Sequence, residues 1–113
     1  MSFSDYLENK ILAYTFSGTA FTPAATKYLA LYTVAPNDDG TGGTEISTSG
    51  TGYTRQTVAF TTTASQSSNT AAVEFSTALS SWGTVVAVGV LDASTSGNLY
   101  AVGTLAVQKP IST

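Results

Sequence analysis

The chain contains no cysteine and no histidine among its 113 residues. Without histidine it lacks the commonest general base and the commonest metal ligand of proteins. Without cysteine it has no thiol nucleophile, no disulfide and no zinc-finger site. A Ser-His-Asp triad is impossible for the same reason. We therefore expect a protein that is not an enzyme and that binds no cofactor.

Charge is also scarce: charged residues make up 10% of the chain, against about 25% in typical soluble domains. The chain has four Lys and Arg residues and seven Asp and Glu residues, which gives a net charge of −3. No basic cluster is present, so nucleic acid is not an expected partner. No apolar run approaches the roughly 20 residues that span a bilayer. The N-terminus carries no basic segment or cleavage motif, so we expect neither a membrane partner nor a signal peptide.

Hydroxyl side chains take the place of the missing charges. The sequence has 20 Thr and 14 Ser, while hydrophobic residues make up 42%. This is enough apolar material for a core, and it is not the hydrophobic-poor, highly charged composition of a disordered chain. The composition is typical of a β-rich protein whose exposed strand faces carry Thr and Ser.

Residues 1–18 are predicted to form an N-terminal helical segment or docking arm, with the helix itself over residues 3–16. Ser4 or Asp5 is suited to cap its start, and Gly18 is suited to end it. Apolar residues recur at helical spacing along one face, namely Phe3, Leu7, Ile11 and Tyr14. This face either packs on the rest of the chain or serves as an arm that docks on a neighbouring subunit. We regard its four side chains as candidate interface residues.

Residues 19–113 are predicted to form a single β domain. Strand-like segments separated by turn signals lie at 28–34, 53–62, 70–76, 84–92 and 99–108. The second and third should form a hairpin, with Val58 and Phe60 facing in, and the fourth should be a central, doubly buried strand. Gly89 within it indicates a bulge or a close backbone approach, and Pro110 should end the last strand. The pattern predicts an antiparallel β-sandwich or partly open barrel.

A loop rich in Gly, Thr and Ser spans about residues 36–52 and is a candidate contact surface, because loops of this length are often functional. Asp38 and Asp39 are its candidate interface residues. Together with Glu45 they form a possible calcium site, since hard cations take oxygen ligands from loops. The spacing does not match an EF-hand, so a solvated acidic turn is the favoured interpretation and no metal is expected.

Tyr53, Arg55 and Trp82 complete the set of candidate interface residues. The two aromatic rings are expected in the core or at a subunit interface, and stacking on sugar rings is the alternative. Arg55, the only arginine, is expected to face outward and to pair either with Glu74 across a hairpin or with a carboxylate of a partner.

Several segments resemble a family of small tailed-bacteriophage virion proteins that are often labelled phage tail fibre proteins. The motifs that carry the resemblance are LENKIL at 7–12, FSGTAFTP at 16–23, KYLALYT at 27–33, GYTRQ at 52–56, SWGTV at 81–85, VGVLD at 88–92 and GNLY at 97–100. Relatives run on into a further β segment. The comparison implies that a final strand is missing or supplied by a neighbour, and that the isolated chain self-associates through an unpaired strand edge.

The resemblance implies a structural protein of the virion, assembled in the host cytoplasm. Its expected partners are other phage structural proteins, either the major capsid protein or tail proteins, and further copies of itself in a homo-oligomer. A fibre needs length, and 113 residues without heptads or repeats offer little. Length therefore favours a capsid decoration or cement protein. The alternative is a tail-fibre or baseplate component that binds a receptor or carbohydrate.

Overall fold

The computed structural model describes residues 2–113. In this part of the chain the elements are Ser2–Phe3 (β1), Asp5–Ser17 (α1), Lys27–Val34 (β2), Thr44–Glu45 (β3), Gln56–Val58 (β4), Phe60–Thr63 (β5), Gln66–Asn69 (β6), Gly83–Leu91 (β7) and Leu99–Ile111 (β8). Their strand pairings are antiparallel. The predicted mainly β, antiparallel fold with one helix near the N-terminus is confirmed.

Six of the strands form one sheet in the order β1-β8-β7-β2-β3, with β4 also paired to β2. β5 and β6 form a separate hairpin. The sheet ends on β1 at one side and on β3 at the other, so it is open and not closed into a barrel. β7 lies between β8 and β2, and its nearly continuous apolar run predicts this central position.

The core consists of two clusters of buried side chains on opposite faces of β2. Ala30 and Tyr32 belong to one cluster, whereas Leu31 packs against the other. Successive side chains of a strand point to opposite faces, which explains why β2 is apolar throughout. The first cluster contains Ala30, Tyr32, Ala87, Leu91, Leu99 and Val102, and the second contains Ile46, Tyr53, Ala78, Trp82 and Val85.

Helix α1 begins after Ser4, so the prediction that Phe3 belongs to the helical face is wrong. Ser4 has extended backbone angles, and its hydroxyl accepts a hydrogen bond from the N–H of Leu7 at 3.2 Å. Phe3 lies on β1 and pairs with Ala101 of β8. Gly18 ends the helix in the left-handed conformation, as predicted. No helix within residues 2–113 is long and apolar enough to cross a membrane.

The segment at 53–62, predicted as one strand, is divided at Ala59 into β4 and β5. β4 pairs with β2, whereas β5 leaves the sheet and pairs with β6. Val58 is buried in the sheet, but Phe60 is exposed on the hairpin. The prediction that these two side chains face the same core is therefore wrong, because β5 pairs with β6 and not with β2.

The hairpin is also tighter than predicted. Thr63 pairs with Gln66, so the turn consists of Ala64 and Ser65 alone. The returning strand is β6, and residues 70–76, predicted as that strand, contain none. Ala64 has a positive φ of 54°, a conformation in which two-residue turns normally carry Gly, Asn or Asp. The sequence therefore lacks the usual signal for this turn.

Strand β8 continues through Pro110 to Ile111, so the prediction that this proline ends the strand is wrong. Proline is tolerated because β8 is an edge strand there: β1 covers it only at Ala101 and Val102. Gly89 has the predicted close approach, since a Cβ at this position would lie 2.9 Å from Cε2 of Tyr32.

Candidate functional site

Helix α1 contacts the rest of the chain mainly through its first turns. The ring of Tyr6 stacks on that of Tyr100, with centroids 6.0 Å apart and planes 6° apart. Phe21, in the segment after the helix, meets both rings edge-on at 6.4 Å. Leu7, one of the predicted interface residues, is half-buried in this region. The start of the helix is therefore attached to β8 by aromatic packing.

The second half of the helix carries exposed apolar side chains. We call it the helix end and define it by Ile11, Leu12, Tyr14 and Phe16, whose exposed fractions run from 38% to 80%. Ile11 and Tyr14 belong to the predicted face, whereas Leu12 and Phe16 lie on another side of the helix and were not predicted. Leu12 and Phe16 lie one turn apart on the same side of the helix, and neighbouring exposed apolar side chains commonly mark a contact with another protein.

The acidic loop residues lie beside the start of the helix. The carbonyl of Asp38 accepts a hydrogen bond from the N–H of Asp5 at 2.7 Å, which ties the loop to α1. The carboxylate of Asp39 accepts bonds from the hydroxyl and the N–H of Thr41. These bonds hold the pKa of Asp39 below its usual value. A contact of this loop with a partner stays a prediction.

The possible calcium site has no support in the described residues. Among residues 2–113 no three His, Cys, Asp or Glu side chains lie close enough together to hold a metal ion. Glu45, which the calcium interpretation requires beside Asp38 and Asp39, is instead engaged by Arg55 and Tyr53. Asp39 and Glu45 are therefore engaged in separate hydrogen bonds, Asp39 with Thr41 and Glu45 with Tyr53 and Arg55.

Tyr53 and Trp82 lie in the second core cluster, with exposed fractions of 1% and 7%. Their rings meet edge-on with centroids 5.5 Å apart. The indole N–H of Trp82 donates to the carbonyl of Thr51 at 2.8 Å. Because both rings are enclosed by this chain, neither offers a free face for a sugar. The interface proposed below therefore does not include them.

Arg55 does not face outward: its side chain is 8% exposed and pairs with Glu45. Of the two pairings that the sequence left open for Arg55, the one with Glu74 is wrong. Nη2 and Nε of Arg55 donate to the two carboxylate oxygens of Glu45 at 2.8 and 2.9 Å. The Tyr53 hydroxyl donates to the same carboxylate at 2.6 Å and accepts from the N–H of Leu31 at 3.0 Å. We call Glu45, Tyr53 and Arg55 the ion-pair cluster.

The cluster shifts the protonation equilibria of its members. Burial alone would raise the pKa of Glu45, but the hydrogen bonds from Arg55 and Tyr53 outweigh burial, and the pKa is lowered. Burial, and then the hydrogen bond to Glu45, raise the pKa of Tyr53 well above its usual value. Near neutral pH the carboxylate is therefore charged and the phenol is protonated, which is the pairing that the hydrogen bonds require.

The fold and its surface define a small, open-sheet β protein with an unburied apolar helix end. Residues 2–113 match the family described as Podophage GP4 fiber I protein gp80. Because the match covers nearly the whole sequence, the chain belongs to this family, and the resemblance of its motifs to phage fibre proteins is confirmed. The chain is accordingly a structural phage protein and a component of the virion. No curated protein matches it.

Proposed function

We propose that this chain is a non-enzymatic component of the phage tail fibre, held in the particle by contacts with other virion proteins. The observation that carries the proposal is the match of residues 2–113 to a fibre protein family. The short chain had favoured a capsid decoration role. The family match instead favours the tail-fibre role. In this role the domain contributes as one unit of an assembly.

The helix end is the proposed attachment point. We propose that it inserts into an apolar groove on another structural protein of the virion. Phe16 is 80% exposed, and Leu12, one turn earlier on the same side, is 54% exposed. Complete burial of a Leu, Ile or Phe side chain contributes about 1.5–3 kcal/mol. Covering the four partly exposed side chains would contribute on the order of 5 kcal/mol. This is a large share of the roughly 8 kcal/mol of binding free energy that corresponds to a micromolar dissociation constant.

The rest of the helix supports attachment through this end. Its first turns are already engaged by Tyr100 and Phe21, so they hold α1 in one orientation. A partner that binds the helix end thus meets a structure that is already ordered, which lowers the entropic cost of binding.

The test is incorporation into particles of a variant with Leu12→Glu and Phe16→Glu. A phage that lacks the gene is complemented with this variant, and the purified particles are examined by quantitative mass spectrometry. Two carboxylates in an apolar contact oppose its formation, so we expect the variant to be lost from particles. Because both positions are exposed, the isolated variant should keep the circular dichroism and melting temperature of the natural chain.

A matched control carries Asn9→Glu and Thr15→Glu. Both positions are exposed and polar on the same helix, and the two exchanges bring the same change in net charge. We expect this control to enter particles at the natural level. Natural incorporation of the variant with Leu12→Glu and Phe16→Glu would contradict attachment through the helix end, and loss of both variants would indicate a nonspecific effect of charge.

A further inference from the structure

A groove of about 1030 Å³ lies beside the start of α1, where the open sheet meets the hairpin of β5 and β6. We call it the hairpin groove. Its sheet side carries Val58 and Tyr100, while Leu7 of α1 and Phe60 of the hairpin line its other sides. Among residues 2–113, Lys27 is the one charged residue that lines it. The hairpin groove is therefore a largely uncharged surface with apolar side chains on each side.

The hairpin beside this groove has no cover from the rest of the chain. Within residues 2–113, β5 and β6 pair only with each other, and each of their residues is exposed. An isolated two-stranded hairpin is marginally stable in water. Phe60 adds an aromatic side chain that is 38% exposed. A partner seated in the groove would cover this ring and stabilise the hairpin.

The chain also exposes more surface than a folded monomer of its mass needs. Its accessible surface area is 6964 Å². A typical monomer of 11.6 kDa exposes about 5,800 Å². A standard protein–protein interface covers about 800 Å² on each partner. The excess surface is therefore large enough to be the part that an assembly covers.

The helix end has the shape and position to fill a hairpin groove, but not that of its own chain. From Leu7, which lines the groove, Leu12 lies about 140° and Phe16 about 180° around the helix axis, at 3.6 residues per turn. Both side chains therefore point away from the groove of the same molecule. They are free to enter the groove of another molecule.

The charges of the two surfaces are complementary. The C-terminal end of a helix carries a partial negative charge, and the last turn of α1 has no basic residue to balance it. Residues 11–18 contain no charged side chain. Lys27 of the groove would supply the missing positive charge, and it forms no ion pair within residues 2–113. A second copy of this chain thus brings the charge that the helix end lacks.

We propose that the helix end of one chain inserts into the hairpin groove of a second copy, with Leu12 and Phe16 as its apolar anchors. The inference rests on the proposed function, because it uses the same attachment point and identifies the partner as another copy. The two surfaces differ, so each contact leaves one helix end and one groove free. Further copies then add head to tail.

The test is sedimentation velocity of full-length chains that all carry Val107→Lys, so that the edge of β8 does not contribute. We expect this parent chain to form assemblies of more than two copies as its concentration rises into the millimolar range. The helix variant adds Leu12→Glu and Phe16→Glu, and the groove variant adds Thr62→Glu. Each places a carboxylate in the apolar contact, so each alone should be monomeric where the parent chain assembles.

A mixture of the two variants distinguishes a head-to-tail contact from a symmetric one. The groove variant keeps its helix end and the helix variant keeps its groove, so one contact between them is still possible. We expect the equimolar mixture to form dimers and to grow no further. A mixture that stays monomeric would overturn the proposal, and so would a parent chain that stays monomeric or stops at the dimer.

Thr61→Glu is the matched control for Thr62→Glu. Both residues are exposed on β5, and each hydroxyl bonds another hydroxyl, Thr61 that of Thr70 and Thr62 that of Ser67. Successive side chains of a strand point to opposite faces, and only Thr62 of the two lines the groove. We expect Thr61→Glu to assemble like the parent chain. Equal loss of assembly in both variants would overturn the assignment of the groove.

The charge complementarity has its own test. Lys27→Met in the parent chain should weaken assembly roughly two- to fivefold, which is the effect of one cation near a helix C-terminus. Lys109→Met removes the same charge at an exposed position of β8 that does not line the groove. It should assemble normally, and an equal effect of the two exchanges would contradict the role of Lys27.

These outcomes are separable from those for the proposed function. If the parent chain is monomeric in solution but the variant with Leu12→Glu and Phe16→Glu is lost from particles, self-assembly is overturned and attachment through the helix end stands. If the parent chain assembles as described but that variant enters particles at the natural level, the contact between copies stands and the proposed attachment is overturned.

Discussion

Replacement of Arg55 by Lys removes the geometry of the ion-pair cluster while keeping its positive charge. Arg55 donates four hydrogen bonds from three nitrogens, two to Glu45 and one each to the carbonyls of Ala93 and Ser96. A lysine carries its three N–H donors on one atom and cannot span these acceptors, which lie on different segments. At least two of the four bonds should therefore be lost.

The expected cost follows from the burial of the acceptors. A hydrogen bond that involves a charged group contributes about 1.5–3 kcal/mol net. Water can replace part of the loss because Ser96 is exposed and the Glu45 side chain is 25% exposed. We therefore expect the free energy of unfolding to fall by about 2–3 kcal/mol. For a domain of this size, this corresponds to a decrease in melting temperature of roughly 8–12 °C.

Urea unfolding followed by Trp82 fluorescence measures this change, since Trp82 is the only tryptophan and is buried in the core. Lys109→Arg is the matched control, because it makes the converse exchange at an exposed position of β8. We expect the control to lie within about 0.5 kcal/mol of the natural chain. A loss for Arg55→Lys no larger than that of the control would refute the argument that the fork geometry of Arg55 stabilises the fold.

Three further predictions concern pH, packing and association. The pKa of Glu45 is lowered in the folded chain, so its ionised carboxylate stabilises the fold. This stabilisation is complete at pH values above the usual pKa of 4.5, and it is lost as the pH falls through the lowered pKa. The difference in free energy of unfolding between Glu45→Gln and the natural chain should therefore become smaller as the pH falls. Urea unfolding at several pH values from 7 to 3 measures this difference, and a constant difference would contradict the prediction. Gly89→Ala should cost about 1–3 kcal/mol because its Cβ would press on Tyr32, and a neutral effect in thermal unfolding would contradict the packing described. The isolated chain should associate weakly through the edge of β8, with Val107→Lys reducing this association in sedimentation velocity; concentration-independent monomers would exclude it.

The elements that the sequence predicts well are those in which local and tertiary preferences agree. Ser4 and Gly18 are typical cap residues, and both cap α1. The long apolar runs of β2 and β7 indicate strands buried on both faces, and these strands lie next to each other inside the sheet. In such segments the pattern of side chains and the backbone geometry favour the same structure.

The elements that the sequence misses depend on contacts between distant residues. Nothing local indicates that Ala64 adopts a positive φ or that the chain leaves the sheet at Ala59. The pairing of Arg55 with Glu45 requires knowledge that β3 lies beside β2, and the two-residue length of β3 is too short for a recognisable pattern.

The most direct test of the fibre assignment is the copy number of this chain per virion, measured by quantitative mass spectrometry of purified particles against the major capsid protein. Fibres surround a single tail, so the assignment predicts between a few and a few dozen copies. A decoration protein is repeated with the capsomers of the shell. A count in the hundreds that scales with the capsid protein would contradict the fibre assignment and restore the capsid role.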